Sequence, residues 1–286
     1  MTRMGSAGER VLLATRWTAL AIVPFLAVAV VLLLAVPERS GELFAWAIAP
    51  PLSAWLLGAA YVGGIVFFVS VAQAREWHRV RHGFPAVVVF AGALLAATAL
   101  HFDRFSTNLS AVVWIALYAT TPFAIAALAI VQRRAEGSAV PGARHAVGGA
   151  EVLIPAAARA ALVAIGLGAL ATGAALFLAP AALAPLWAWE LTPLTARVTG
   201  ATLSLAGVVH LAMVRDARWS AFRILYLAQL TSLAVIALAL VVHADDVRWE
   251  RPVAGGFVAL VALAIAAYGA LTLWAEGRRR GRRRPR

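Results

Sequence analysis

The sequence predicts an all-α polytopic membrane protein with eight transmembrane helices, arranged as two parallel four-helix repeats. Three observations carry that prediction. Of 286 residues, 63% are hydrophobic and 13% charged, and the mean hydropathy is +0.85, which leaves too little polar surface for a shell facing water. Eight apolar runs reach, within boundary error, the length of about 20 residues that a helix needs to cross the hydrocarbon. Finally, Pro51, Leu52, Gly58, Trp77, Arg81, His101 and Asp103 recur without a gap, 142 positions later, as Pro193, Leu194, Gly200, Trp219, Arg223, His243 and Asp245. Pro, Trp, His and Asp are uncommon in such a composition, so a match in fixed register reads as one unit written twice.

The runs cover residues 17–36, 52–72, 84–100, 109–131, 159–179, 195–214, 221–242 and 253–275. Arginine orients them. Arg3, Arg10 and Arg16, the loop 75–82, then Arg133, Arg134 and Arg144, the turn 215–218 and the last residues alternate with loops that hold only Arg39, Arg104, Arg248 and Arg251. The positive-inside rule then expects both termini in the cytoplasm. The first run has the basic flank of a signal peptide, but its counterpart, the fifth run, is internal, so the first is expected to be retained. An even number of spans per unit gives both units the same orientation, a parallel repeat with its axis along the membrane normal. The expected organisation is a first repeat over 1–134, a cytoplasmic linker over 135–158 interrupted by glycine and proline, a second repeat over 159–277 and a basic cytoplasmic tail over 278–286.

The net charge of +12 would suggest nucleic acid in a soluble protein; here the basic residues sit in short segments between spans and serve orientation, so no nucleic-acid partner is expected. The bilayer is the expected partner. Arg278, Arg279, Arg280, Arg282, Arg283 and Arg284 are suited to holding anionic lipid at about 1 kcal/mol per basic residue, or act only as an orientation signal. The chain has no cysteine, which excludes disulfides and thiolate metal sites. It has no phosphate-binding glycine loop, no metalloprotease helix motif and no carboxylate in the middle of a span.

Duplicated His-x-Asp pairs close the third and seventh spans. If His101, Asp103, His243 and Asp245 converge near the axis, two imidazoles and two carboxylates form a ligand set for a divalent ion such as zinc or manganese. The plainer reading makes each Asp a backbone acceptor at a helix junction and each His an interfacial side chain. The segments before spans two and six share Phe44-Ala-Trp46 and Trp187-Ala-Trp189 ahead of proline; these tryptophans are expected at the membrane interface, or in an outer vestibule for a lipid or aromatic solute. Polar side chains within spans suggest a path. Arg197 is expected to reach outward or pair with Glu190, His210 has Phe68 as its counterpart, and Gln229 stands with Thr231 and Ser232 in span seven. Because His210 lacks a mate, a bis-histidine haem is disfavoured, and no cofactor is assigned. Glycines in spans two, five and six allow close helix approach.

The strings LFAWAIAPPLSAWLLGAAYVGG (residues 43–64), HFDRF (101–105) and WAWELTPLTARVTGA (187–201) resemble those of an uncharacterised family of multi-pass membrane proteins from actinobacteria. The resemblance spans most of both units. It implies a bacterial plasma-membrane location and the eight-span layout, and it brings no activity or site residues. Three classes of function follow from the residues: an integral membrane protein without catalysis, a permease for a small solute or lipid-like molecule using the cleft between repeats, and a metal-dependent membrane enzyme using the His/Asp pairs.

Overall fold

The computed structural model describes residues 10–137 and 151–283. Eight long helices follow the eight apolar runs: α1 (Leu13–Ala35), α2 (Pro51–Gln73), α3 (Gly83–Leu100), α4 (Leu109–Gly137), α5 (Ala156–Leu178), α6 (Pro193–Ala212), α7 (Trp219–Val242) and α8 (Pro252–Arg283). All eight are long and apolar enough to cross a membrane. Proline opens α2, α6 and α8, where its missing N–H leaves no helical hydrogen bond unmade. Helices α4 and α8 outrun their apolar windows because Arg, Glu and Gln are good helix formers and prolong them into polar surroundings. Arg284 and residues 138–150 of the expected linker lie outside the described residues.

The helices pack in two runs: α1 against α2, α2 against α7 and α7 against α8; then α5 against α6, α6 against α3 and α3 against α4. Helices α2 and α6 touch each other and are the most buried, 56% and 61% inside the protein against 22% for α1, α4, α5 and α8. Within each run the helical pairs α1–α2, α7–α8, α5–α6 and α3–α4 come from one sequence unit each, and the contacts α2–α7 and α3–α6 join unit 1–134 to unit 159–277, so each unit gives one helical pair to each run. At the α5–α6 contact, Gly173 lies against Gly200; a β-carbon on either would overlap the other's carbonyl, so only glycine allows this approach.

Contacts between loops define two ends. At the tail end, Gln132 of α4 donates to the Arg10 carbonyl at 2.8 Å and accepts from the Leu12 amide at 3.0 Å, and Glu151 accepts from the amide and hydroxyl of Ser220 at the start of α7. At the far end, Ser106 donates through its amide to the Ala45 carbonyl, and Asp246 accepts from the Leu52 amide at 3.0 Å in the first turn of α2. That carboxylate satisfies an amide that the helix itself leaves free.

The tryptophans expected at the interface are inside the protein. Trp46, Trp187 and Trp189 are 2%, 7% and 1% exposed. Trp46 packs edge-on against Trp114 at 4.8 Å between ring centroids and beside Phe44 at 5.1 Å. Trp187 and Trp189 pack on Phe257, and the Trp189 indole N–H donates to Ser53 Oγ at 2.9 Å. The extended segments ahead of α2 and α6 turn these rings onto α4 and α8, where edge-to-face contacts and apolar burial hold them better than headgroups would.

Candidate functional site

Polar side chains concentrate in three places: the far end, the tail end and a central cavity. At the far end, His101 follows the last turn of α3 and Arg197 stands one turn inside α6. Their facing side chains meet, Arg197 Nη1 against His101 Nε2, and the guanidinium lies over the Phe177 ring at 6.0 Å. Burial first, and the Arg197 charge second, lower the His101 pKa, so the imidazole is neutral at pH 7 and accepts from the guanidinium. Arg197 does not pair with Glu190, as the sequence suggested, because Arg251 and Arg248 reach that carboxylate first, at 2.7 and 3.2 Å.

His243 follows α7 and packs edge-on against Trp55 of α2, 5.3 Å between ring centroids. Asp103 pairs with its neighbour Arg104 and, like Asp245, is exposed. The structure thus gives each histidine its own partner on a different helix, and no three His, Asp or Glu side chains gather in a metal-binding group among the described residues. The convergence expected of His101, Asp103, His243 and Asp245 does not occur. Of the neighbouring Asp245 and Asp246, it is Asp246 that bonds another helix, at the Leu52 amide, and no sequence signal distinguishes the two.

At the tail end, Asp216, after α6, has a side chain only 5% exposed. It accepts from Arg81 at 2.7 Å, from Arg218 at 2.9 and 3.0 Å and from the Arg218 amide at 3.1 Å, and it bonds His82 Nε2 at 2.9 Å. Burial alone raises a carboxyl pKa; here the bonds from His82, Arg218 and Arg81 outweigh it and hold Asp216 well below the usual carboxylate range. No local sequence pattern marks this cluster, because the arginines of the turn 215–218 have a sufficient reason in the orientation of the chain and Arg81 stands 135 residues from Asp216.

Between the ends lies a cavity of about 260 Å³ to which all eight helices contribute. Its wall is almost wholly apolar, with Phe67, Phe90, Leu203 and Leu225 among the lining, and no Asp, Glu, Arg or His lines it among the described residues. Tyr61 of α2 and Tyr118 of α4 both line it and bond one another through their hydroxyls at 2.8 Å. Gln229 of α7 also lines it, and both polar atoms of its amide are buried without a hydrogen-bond partner in the protein. Ser232, one helical turn on, lines the same wall. Of the three residues suggested for a polar path, Gln229 reaches the cavity. Arg197 is held at the far end. His210 is fully buried beside Tyr226 and Tyr268, with both ring nitrogens unpartnered, and is not among the lining residues.

Thr120 and Thr231 donate to carbonyls of their own helices, the usual outcome for hydroxyls in apolar surroundings. In the tail, Arg279 pairs with Glu276 at 3.0 Å and Arg278 lies over Trp274; the Arg282 and Arg283 side chains lie outside the description. Compared with family models, with curated proteins and with solved structures, the chain finds no match.

Proposed function

We propose that this is a permease of a bacterial plasma membrane, which takes a small lipid-like molecule into its central cavity. The observation that carries this reading is the cavity itself: about 260 Å³ of apolar space with contributions from all eight spans. Sites for small molecules are concave, mainly apolar and furnished with few polar groups, and a span bundle that needed only to be stable would fill such a space with side chains.

A duplicated four-span architecture, with both termini cytoplasmic, belongs to the same proposal. The packing order supports the duplication, since exchanging each helix with the one four places away turns one run of contacts into the other. So does the cavity lining: Ala60 and Thr202, Phe67 and Val209, Gly83 and Leu225, and Tyr118 and Leu260 all face it, each pair 142 residues apart. Arginine asymmetry supports the orientation, and it leaves Arg278 and Arg280 suited to anionic headgroups. A cysteine added at the C-terminus is then protected from an impermeant maleimide in intact cells; labelling there overturns the orientation.

The test of function is transbilayer movement. Proteoliposomes holding the purified protein should exchange a fluorescent fatty alcohol between leaflets faster than protein-free vesicles. Ala206→Phe and Ala169→Phe, which place rings in the cavity, should each slow that exchange toward the protein-free rate. Equal rates with and without protein sink the permease reading.

A further inference from the structure

Independently of the cavity, we infer that the tail end of the first unit holds the headgroup of an anionic phospholipid, with Arg10, Arg16, Arg75 and Arg133 around its phosphate and its acyl chains along the exposed face of α1.

The same short backbone pairing closes the tail end of both units. Arg10 stands opposite Glu76, and the Val11 amide donates to the Arg75 carbonyl; in the second unit Leu153 stands opposite Arg218, and the Ile154 amide donates to the Ala217 carbonyl. The 142-residue register therefore holds here to within one residue. The charges do not repeat. In the second unit Asp216 binds Arg218, and Glu276 binds Arg223 and Arg279. The residues 142 positions before Asp216 and Glu276 are Ala74 and Arg134, so the first unit lacks both acids.

Arginines are left there without counter-charge. Arg10, Arg75 and Arg133 are exposed, and among the described residues no side-chain hydrogen bond or ion pair engages them. Arg16 donates to the Ala74 carbonyl at 2.7 Å, and its Nε is buried without a partner. The nearby acids are taken: Glu76 pairs with Arg79 at 2.6 Å and faces His78, and Glu136 faces Arg81. Backbone contacts gather the cluster, since the Arg10 carbonyl accepts from Gln132, the neighbour of Arg133, while Arg10 and Arg75 meet across the short pairing. Like charges so gathered are stabilised by an outside anion, and the guanidinium fork matches a phosphate group.

The surroundings select a lipid rather than a soluble phosphate. Trp17, next to Arg16, is 68% exposed, and with Leu13 and Leu20, also exposed, it forms a stripe on one face of α1. An exposed indole beside arginines belongs at headgroup depth, and the stripe offers an acyl chain its apolar contact. Basic pockets between spans are known binding places for anionic headgroups.

The experiment offers the delipidated full-length protein, in detergent, equal amounts of dioleoyl phosphatidylglycerol and dioleoyl phosphatidylcholine, and native mass spectrometry counts the lipid retained. Phosphatidylglycerol should be retained about tenfold more. The triple variant Arg10→Gln, Arg75→Gln, Arg133→Gln should bring the ratio near one, with the lipid-free melting temperature unchanged because these side chains have no partner to lose. The same loss of charge at the far end, Arg39→Gln, Arg104→Gln, Arg248→Gln, should leave the ratio intact. If the triple variant does not fold, Ala74→Asp decides: it gives the first unit the acid that the second has at Asp216, and it should bring the ratio near one. Phosphatidylglycerol should also raise the wild-type melting temperature where inorganic phosphate does not. Equal retention of the two lipids by the wild type overturns the inference, as does a preference that survives in the triple variant; its loss in Arg278→Gln, Arg280→Gln would then place the lipid on α8. A preference lost equally in the far-end variant reduces it to net charge and overturns the site. An equal rise in melting temperature with inorganic phosphate overturns the lipid in favour of a soluble anion.

Discussion

The seam between α2 and α7 and the seam between α3 and α6 hold corresponding places in the packing order, and they are fastened differently. The α3–α6 seam is pinned by charge at both ends, with Arg197 against His101 at one and Asp216 gripping Arg81 and His82 at the other. The α2–α7 seam is closed by a near approach in its middle, where a β-carbon on Gly63 would overlap Ser232 Oγ and the Ala228 carbonyl. At its far end, an aromatic edge (His243 on Trp55) stands where the other seam has an ion. The residues 142 positions from Gly63, Ser232 and Arg197 are Leu205, Phe90 and Trp55. Charge suits helix ends, where side chains emerge from the hydrocarbon, while mid-membrane contact favours small residues and dispersion. The difference teaches that the recurring prolines, tryptophans and histidines build the frame, whereas the chemistry differs from one seam to the other.

Breaking the charged clasp has the largest expected effect. Asp216→Asn should lower the unfolding free energy in detergent by about 2–3 kcal/mol, a buried-pair loss reduced by the partial exposure of the arginines. The pH dependence gives a second reading. Because the carboxyl pKa is lower folded than unfolded, its stabilisation is full above the unfolded value of about 4 and is lost as pH falls below it. Thermal melts should therefore show the wild type losing stability below about pH 5 more steeply than Asp216→Asn; parallel acid limbs would remove the clasp from the account.

On the other seam, Gly63→Ala should cost about 1–2 kcal/mol, because the backbone carbonyl of Ala228 cannot step aside without moving α7. Adding Ser232→Ala should recover only part, since Oγ is one of the two groups overlapped. Full recovery would mean that helix spacing here is soft. The smallest effect sharpens the reading of the far end. Asp246→Ala removes the acceptor for the Leu52 amide and should cost about 1 kcal/mol, while Asp245→Ala stays within about 0.5 kcal/mol; chemical or thermal unfolding of the two variants side by side measures the contrast.

The eight spans were legible in the sequence because crossing hydrocarbon requires a long apolar run whatever the neighbours are, and their ends fell within a few residues of the helices except where α4 and α8 continue into polar surroundings. The candidate site was legible only in part. Gln229 stood out as a polar residue in a span, but nothing local separated it from His210, which lies outside the cavity lining, or from Arg197, which is occupied by His101. His101, Asp103, His243 and Asp245 drew attention because they recur, and recurrence reports a shared frame as readily as a shared site. The chemistry of tryptophan alone points to the interface; the burial of these rings depends on where the extended segments before α2 and α6 turn.

What this sequence determined by itself is therefore the class, the number of spans and the alternation of arginine-rich and arginine-poor connections, all of which are written one segment at a time and follow from the transfer of each segment between water and lipid. Tertiary structure alone decided that α2 lies along α7 and α6 along α3, that Asp216 meets Arg81 across 135 residues, and that eight helices leave an apolar space with one unsatisfied amide on its wall. In lipid, one apolar helix face is as well solvated as another, so hydropathy cannot choose the partners of a helix; shape and the pairing of a few polar atoms do, and both exist only once the helices have met.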